Sequence, residues 1–153
     1  MNTPQNTSDR GCVLAIIASR RRILLVKDRA KPAPHFYKLL GGGVLPNESI
    51  AKAIAREARE EGGVPVDEDD FELLKVLTVG EGARSHQKYL FLCYLPDEVL
   101  DMHHERGNEG EEVAVFLIEE LDHMVDLLPE HRKIIRELDD ELKTRKPLGS
   151  LAA

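Results

Sequence analysis

Hydrophobic residues recur along this chain in short runs that predict strands, with polar segments between them. The runs from Gly11 to Ala18 and from Arg22 to Asp28 are rich in apolar, often β-branched residues, and a short polar turn separates them. Further strands are predicted over Phe36 to Leu40, Phe71 to Val79, Gln87 to Leu95 and Glu112 to Ile118. The segment from Arg29 to His35 contains two prolines and is predicted to be an ordered loop.

One segment, from about Glu48 to Glu61, has the spacing of an amphipathic helix. Ile50, Ile54 and Ala58 repeat at intervals of four residues, which places them on one face. Asn47 is a candidate N-cap, and two glycines follow the last turn. The sequence therefore predicts a helix with clear ends in the first half of the chain.

The order of these elements predicts an α/β fold. Strands precede and follow the central helix, and residues 119–144 predict further helix, broken into two pieces near Pro129. This order indicates a mixed sheet that is covered by helices on both faces. With 153 residues, 42% of them hydrophobic, the chain has the size of one domain over 1–153, with frayed ends at 1–10 and 147–153.

The composition bears on where the protein acts. No stretch approaches the roughly 20 apolar residues that cross a bilayer. The polar start lacks the charged and apolar regions of a signal peptide, so we expect a soluble, cytoplasmic protein with no membrane partner. Cys12 and Cys93 lie in apolar runs without CxxC spacing and are expected to be buried thiols.

Charge is distributed unevenly along the chain. The net charge of −7 argues against general binding of nucleic acid. Residues 1–46 carry eight Lys or Arg against two Asp, a net charge of +6, and the remainder carries thirteen against twenty-six Asp or Glu, a net charge of −13. Solvated surface charge is one explanation, and a phosphate-steering surface beside a carboxylate metal site is the other.

The central helix carries carboxylates where helix energetics disfavour them. Glu57 has Glu60 three residues later and Glu61 four residues later, and each such like-charge pair costs about 0.2–0.5 kcal/mol. Glu60 and Glu61 also lie in the last turn, where the helix dipole favours cations. A bound Mg²⁺ or Mn²⁺ would reverse both penalties, whereas Arg56 and Arg59 would partly neutralise a merely solvated acidic end.

Three consecutive glycines, Gly41 to Gly43, precede this helix. Without side chains, their backbone is able to pass close to a metal ion or a phosphate and to offer N–H or C=O groups. A simple turn between strand and loop is the alternative explanation.

The sequence from Gly42 to Val64, GGVLPNESIAKAIAREAREEGGV, resembles the Nudix box. After the first glycine come five residues and Glu48, then seven residues and the pair Arg56 and Glu57, and then the two glutamates, a glycine and an apolar residue that complete the pattern. Every fixed position is met. The resemblance implies membership of the Nudix hydrolase family, whose fold is an α/β/α sandwich with a central mixed β-sheet.

The resemblance also implies a metal site and a reaction. Glu57, Glu60 and Glu61 would bind Mg²⁺ or Mn²⁺, with the carbonyl of Gly41 as a further ligand. Glu48 and Arg56 would orient this shell, through a charge-assisted contact with each other. The cation would hold a diphosphate for attack by water on phosphorus, so the substrate would be a small-molecule nucleoside diphosphate derivative.

A general base is required as well. The box itself offers Glu61, but relatives often use a loop carboxylate that precedes the last strand. That loop reads GNEGEE here. Glu112, directly before the strand VAVFLI, fits that usage best, and Glu109 and Glu111 are its rivals.

The basic front of the chain supplies candidates for contacts with substrate. Lys27, Arg29, Lys31 and Lys38 flank the proline loop and the strand that leads into Gly41. The most specific hypothesis is that Lys38 contacts a phosphate of the substrate. The alternative is that its side chain faces solvent and binds nothing. Tyr37 is a candidate for stacking on a nucleobase, because the chain has no Trp.

The sequence leaves several properties open. The candidate substrates are nucleoside triphosphates, ADP-ribose, dinucleoside polyphosphates and RNA 5′ ends. The number of metal ions is not fixed, and a homodimer is compatible with the sequence. A non-catalytic Nudix domain that senses a nucleotide or binds a protein is the alternative function. It would be favoured if carboxylates of the box were missing, and all are present.

Overall fold

The computed structural model describes residues 11–144, and the predicted frayed ends at 1–10 and 147–153 lie outside this range. The described residues form seven strands: β1 Cys12–Ser19, β2 Arg22–Lys27, β3 Tyr37–Lys38, β4 Leu40–Gly43, β5 Glu72–Val79, β6 His86–Tyr94 and β7 Glu112–Leu117. The α-helices are α1 Ile50–Glu57, α2 Asp97–Leu100, α3 Pro129–Glu137 and α4 Asp139–Thr144. A π-helical turn, Ala58–Gly62, continues α1, and short 3₁₀ turns occur at Glu68–Asp70, Gly82–Arg84 and Ile118–His123.

Strand β1 is the centre of the sheet. It runs parallel to β6 and antiparallel to two strands on its other side, β4 at its start and β2 at its end. Strand β2 pairs antiparallel with β7 along its length and with β3 near its own end, and β5 pairs antiparallel with β6. The sheet is therefore mixed, which confirms the prediction.

The alternation of side chains along β1 divides the core into two layers. Ala15 belongs to the layer that contains Ile54 of α1. Its neighbour Ile16 points to the opposite face and belongs to the layer with Ile135 of α3 and Leu142 of α4. Helices thus cover both faces of the sheet, and the predicted α/β/α sandwich is confirmed.

The start of α1 differs from the prediction. Ser49 is the N-cap, and its hydroxyl accepts a hydrogen bond from the backbone N–H of Lys52 at 3.1 Å. Asn47, the predicted cap, instead has a φ of 63°. That left-handed conformation suits a turn residue, and Asn tolerates it better than most residues. The helix consequently begins two residues later than the sequence suggested.

The predicted strand from Phe36 to Leu40 is divided in two. β3 pairs with β2, whereas β4 pairs with β1, so the chain changes partner at Leu39. The N–H of Leu39 donates instead to Nδ1 of His131 in α3 at 2.9 Å. The glycines Gly41 to Gly43 are part of β4, so they form a strand rather than a turn.

Two expectations from composition can be compared with the structure. Within residues 11–144, no helix is long and apolar enough to cross a membrane. Both cysteines are free thiols; Cys93 is buried, as expected, while Cys12 is half-buried.

Candidate active site

A cleft of about 200 Å³ opens where the end of α1, strand β4 and the loop before β7 meet. We call it the acidic cleft, and it is lined by Gly41, Gly42, Arg56, Glu57, Glu60, Glu61, Asn108, Glu109 and Glu111. The structure therefore brings together the three box glutamates and Gly41, as the sequence suggested. It adds a loop that the spacing of the box does not reveal.

The path of the backbone changes where the helix reaches this cleft. After Glu57 the α-helix gives way to the π-helical turn, which ends at Gly63 with a φ of 69°. A π turn holds more residues per turn than an α-helix, so the side chains after it are rotated relative to a regular helix. Glu61 is half-buried as a result, whereas the side chain of Glu60 is 49% exposed.

The loop before β7 is fastened to this turn by backbone hydrogen bonds. The N–H of His104 donates to the carbonyl of Gly62, and the N–H of Asn108 donates to that of Glu60, both at 2.9 Å. These bonds satisfy carbonyls at the end of the helix that have no partner within it. They also bring Glu111, which is only 5% exposed, to the cleft.

Arg56 joins the helix to the segment before it. Its Nε and Nη2 donate to the two carboxylate oxygens of Glu48, at 2.7 and 3.0 Å, which confirms the predicted contact between the two residues. It also donates to Glu57 at 3.1 Å and to the carbonyl of Gly43 at 3.1 Å. The hydrogen bond from Arg56 lowers the pKa of Glu48, so this pair stays ionised.

Two other carboxylates of the cleft have the opposite shift. Burial raises the pKa of Glu57. Burial, followed by the charge of Glu57, raises the pKa of Glu61 to about 8, although Glu61 accepts a hydrogen bond from the N–H of Gly41 at 3.2 Å. Glu111 contributes to this shift, and the charge of Lys38 opposes it. The acidic cleft therefore concentrates negative charge that its own residues do not fully compensate.

Comparison with known proteins identifies the family. The NUDIX domain family matches residues 8–138. The chain belongs to the Nudix hydrolase family. Comparison with curated proteins gave no significant match.

Solved structures share the Nudix fold at low sequence identity. The MutT protein from Methanosarcina mazei Go1 is 22% identical, with a TM-score of 0.65 over 86% of this chain and 94% of its own. The NUDIX domain of Shewanella oneidensis NrtR, complexed with ADP ribose, is 18% identical, with a TM-score of 0.68 over 86% of both chains. A bifunctional NMN adenylyltransferase/ADP ribose pyrophosphatase from Francisella tularensis, complexed with AMP and Mn ion, is 22% identical, with a TM-score of 0.69. That alignment covers 91% of this chain and 43% of the Francisella chain.

The glycines of the Nudix box lie tightly against the carboxylates. A Cβ atom at Gly42 would collide with the carboxylate of Glu57, and one at Gly41 would collide with the backbone of Val13. At Gly43 a Cβ would meet no atom within 4 Å. Close packing against backbone therefore requires glycine at position 41, whereas a side chain at position 42 would displace the carboxylate of Glu57, and position 43 has open space.

The Nudix fold implies a divalent cation, and the donors in the acidic cleft fit one chemically. Glu57, Glu61 and Glu111 offer hard carboxylate oxygens in a partly buried site, which suits Mg²⁺ or Mn²⁺. Among residues 11–144, however, no three His, Cys, Asp or Glu side chains converge closely enough to hold a metal ion as they stand. Arg56 lies 3.5 Å from Glu60. The ligand set therefore stays a prediction.

Three of the predicted site residues lie together outside the acidic cleft. Arg29 donates to Glu112 at 2.5 Å, and the hydroxyl of Tyr37 donates to the other oxygen of Glu112 at 3.4 Å. The bond from Arg29 lowers the pKa of Glu112. Glu111, rather than its neighbour Glu112, lines the cleft. Alternation along a strand sends neighbouring side chains in opposite directions, and the sequence did not show where that alternation begins.

Most cations of the basic front are used in internal ion pairs. Their partners are as follows: Arg20 with Asp97, Arg21 with Glu119 and Asp139, Arg22 with Asp97 and Asp101, Lys27 with Asp126, Arg29 with Glu112, and Lys31 with Asp28. Lys38 makes no ion pair with a described residue. It is the member of the predicted phosphate-contacting group that forms no ion pair in the described part of the chain.

Proposed function

We propose that this Nudix protein hydrolyses a diphosphate linkage in a nucleoside diphosphate derivative, with Mg²⁺ or Mn²⁺ bound in the acidic cleft. The observation that carries the proposal is that Glu57, Glu61 and Glu111 line one cleft. Burial and the charge of Glu57 raise the pKa of Glu61 to about 8, and a bound cation would favour its ionised form. Related structures that contain ADP ribose, or AMP and Mn ion, support a nucleotide substrate.

The residues of the acidic cleft would have two roles, to bind the cation and to position its ligands. Glu57, Glu60 and Glu61 would hold the cation, with the carbonyl of Gly41. Glu48 and Arg56 would keep Glu57 in place, because Arg56 binds both carboxylates. When bound, the cation supplies neutralisation of charge on the diphosphate oxygens and activation of water for attack on phosphorus.

We assign the general base to Glu111 in preference to Glu112. Glu111 lines the cleft and neighbours Glu61, and its Oε1 accepts a neutral hydrogen bond from the N–H of Glu109 at 3.2 Å. Glu112 is held by Arg29, and that bond stabilises its ionised form and weakens it as a base. Glu111 is therefore the carboxylate placed to receive a proton from the attacking water.

A substrate panel tests this function. Nucleoside triphosphates, ADP-ribose, dinucleoside polyphosphates and capped RNA would be incubated with the purified chain in Mg²⁺, in Mn²⁺ and in EDTA. The expected result is release of a nucleoside monophosphate or diphosphate from at least one compound, which EDTA abolishes and Glu61→Gln reduces at least about 100-fold. Inactivity on every compound with either metal would overturn the proposal. Binding of a nucleotide without turnover would instead favour the non-catalytic alternative.

Three further expectations stand with this proposal as predictions. They are the cytoplasmic location, a homodimer, and a single domain over the whole chain.

A further inference from the structure

A second pocket lies on the α3 side of the sheet, next to the acidic cleft. Its volume is about 230 Å³, and we call it the cationic pocket because Lys38, Lys88 and His131 line it. Gly41 and Gly42 line both this pocket and the acidic cleft. These two glycines have no side chains that would keep an extended molecule from contacting both sites.

The two lysines of the cationic pocket form no ion pair with any residue in the described range 11–144. Each is half-buried, and the side chain of neither makes a hydrogen bond with a residue in that range. On the register, Lys88 lies opposite Cys12 of β1, which also lines the pocket.

His131 supplies a third donor to this pocket. Its Nδ1 accepts a hydrogen bond from the N–H of Leu39 at 2.9 Å, and burial, with the charges of Lys88 and Lys38, lowers the pKa of His131 to about 4. The ring is therefore neutral at neutral pH, and its proton must be on Nε2. Two ammonium groups and one N–H donor with no acceptor beside them are what a phosphate group binds.

The remaining walls of the cationic pocket are aliphatic. They are formed by Val13, Leu14, Leu39 and Leu128. Among the described residues that line the pocket there is no Phe, Tyr or Trp, and His131 is its one aromatic ring. The chemistry of the pocket favours an anion over a base.

We propose that the cationic pocket binds a second phosphate group of the substrate, beyond the diphosphate that is cleaved. This inference rests on the proposed function and narrows it to substrates with additional phosphates, such as nucleoside or dinucleoside polyphosphates. Lys38 lines the cationic pocket and lies three residues before Gly41, which lines both sites, so it would contact the phosphates that connect them.

Binding is tested with inorganic phosphate as the probe, on the full chain in buffer with Mg²⁺. The NMR signals of the Leu39 amide and the His131 ring report on the pocket, because these groups are hydrogen-bonded to each other. We expect saturable shifts in the native protein and binding about tenfold weaker in Lys88→Met and Lys38→Met. Lys133→Met removes an exposed charge from α3 outside the pocket and should bind phosphate as the native protein does. Equal binding by native protein and Lys88→Met would overturn the proposal.

Kinetics test the same pocket during turnover. Dinucleoside diphosphates and tetraphosphates with the same bases differ only in phosphate number. We expect Lys88→Met to raise KM for the tetraphosphate about tenfold at unchanged kcat, and to leave the diphosphate unaffected, because a contact made equally before and during reaction is uniform binding. An equal change in KM for the diphosphate and the tetraphosphate would contradict the proposal that Lys88 binds an additional phosphate.

The two experiments separate this inference from the proposed function. Phosphate binding that depends on Lys88, without hydrolysis of any compound, would retain the subsite and reject the function. Hydrolysis at a rate that depends neither on Lys88 nor on the number of phosphates would retain the proposed function and reject the subsite.

Discussion

Gly42 and Gly43 are neighbours in β4 that differ in the space beside their Cα atoms. A methyl group at Gly42 would displace the carboxylate of Glu57, the flexible end of a side chain, whereas one at Gly43 meets open space. We therefore predict that Gly42→Ala folds but loses about 10- to 100-fold in kcat/KM, the usual cost of disturbing a metal shell. Gly43→Ala should stay within about twofold of the native enzyme. Steady-state kinetics on both variants, with unfolding curves to confirm folding, provide the test. Similar activity in the two variants would show that the close contact between Gly42 and Glu57 does not matter for activity.

Glu111 and Glu112 are adjacent in sequence and lie in different surroundings. If Glu111 accepts the proton of the attacking water, Glu111→Gln should reduce kcat by about 10²–10⁴-fold. Glu112→Gln removes the partner of the exposed Arg29 and should change stability by at most about 1 kcal/mol and kcat little. Single-turnover rates of both variants distinguish them. A larger loss in Glu112→Gln would restore the assignment that the sequence favoured.

At the scale of elements, the π-helical turn holds Glu61 where its charge is unfavourable without a cation. Its pKa is raised to about 8 from an ordinary value of 4.5, so between these values the folded chain keeps a proton that the unfolded chain has released. This contribution to stability is fully present below about pH 4.5 and is lost as pH rises through 8. In EDTA, Glu61→Gln should therefore gain stability over the native protein as pH rises, by up to about 1.4 kcal/mol per pH unit.

Denaturant unfolding at pH 5, 7 and 8.5 measures that gain. Glu60→Gln is the matched variant, because Glu60 lies in the same turn with a side chain that is 49% exposed, and it should follow the native pH dependence closely. Destabilisation by Glu61→Gln at pH 8.5 would mean that the carboxylate supports the fold.

Helix α3 is connected to the segment between β3 and β4 through His131. The ring must be neutral to accept the hydrogen bond from Leu39, and the pKa of His131 is lowered from 6.5 to about 4. Stability from this group is fully present above about pH 6.5 and is lost as pH falls through 4, because the unfolded chain takes up the proton first.

The variant His131→Asn keeps an acceptor near Leu39 and does not titrate. Its loss of unfolding free energy between pH 7 and pH 4.5 should be smaller than that of the native protein, by up to about 1.4 kcal/mol per pH unit. His123→Asn, at an exposed position in the preceding 3₁₀ turn, should behave like the native protein. Parallel pH profiles for all three proteins would show that His131 does not contribute in this way.

At the scale of the whole molecule, the sequence predicted the architecture better than the connections within it. The apolar runs identify β1, β2, β5, β6 and β7, and the signal is clearest in β1 and β2, which are buried along nearly their whole length. The exchange of partners at Leu39 has no such signal, since it depends on a hydrogen bond to a residue 92 positions away. The π-helical turn is equally hidden, because its sequence also fits an α-helix.

In the candidate site, too, some features follow from the sequence and others depend on the fold. The box glutamates and the contact between Arg56 and Glu48 follow from spacing along a single helix and its start. The position of Glu111 depends on how a distant loop docks on the helix end, through bonds to the carbonyls of Glu60 and Gly62. Lys88 and His131 come from two further elements, and only the fold brings them to the side of β4 opposite the acidic cleft.

Titration of the full chain with Mn²⁺, followed by the loss of the free-ion EPR signal, tests most directly whether the acidic cleft is a metal site. The account predicts at least one Mn²⁺ per chain, bound at least about tenfold more weakly by Glu57→Gln and by Glu61→Gln. Glu130→Gln, at an exposed position in α3, should bind as the native protein does. Native Mn²⁺ affinity in both cleft variants would contradict the account, because the carboxylates of the Nudix box would then not be ligands.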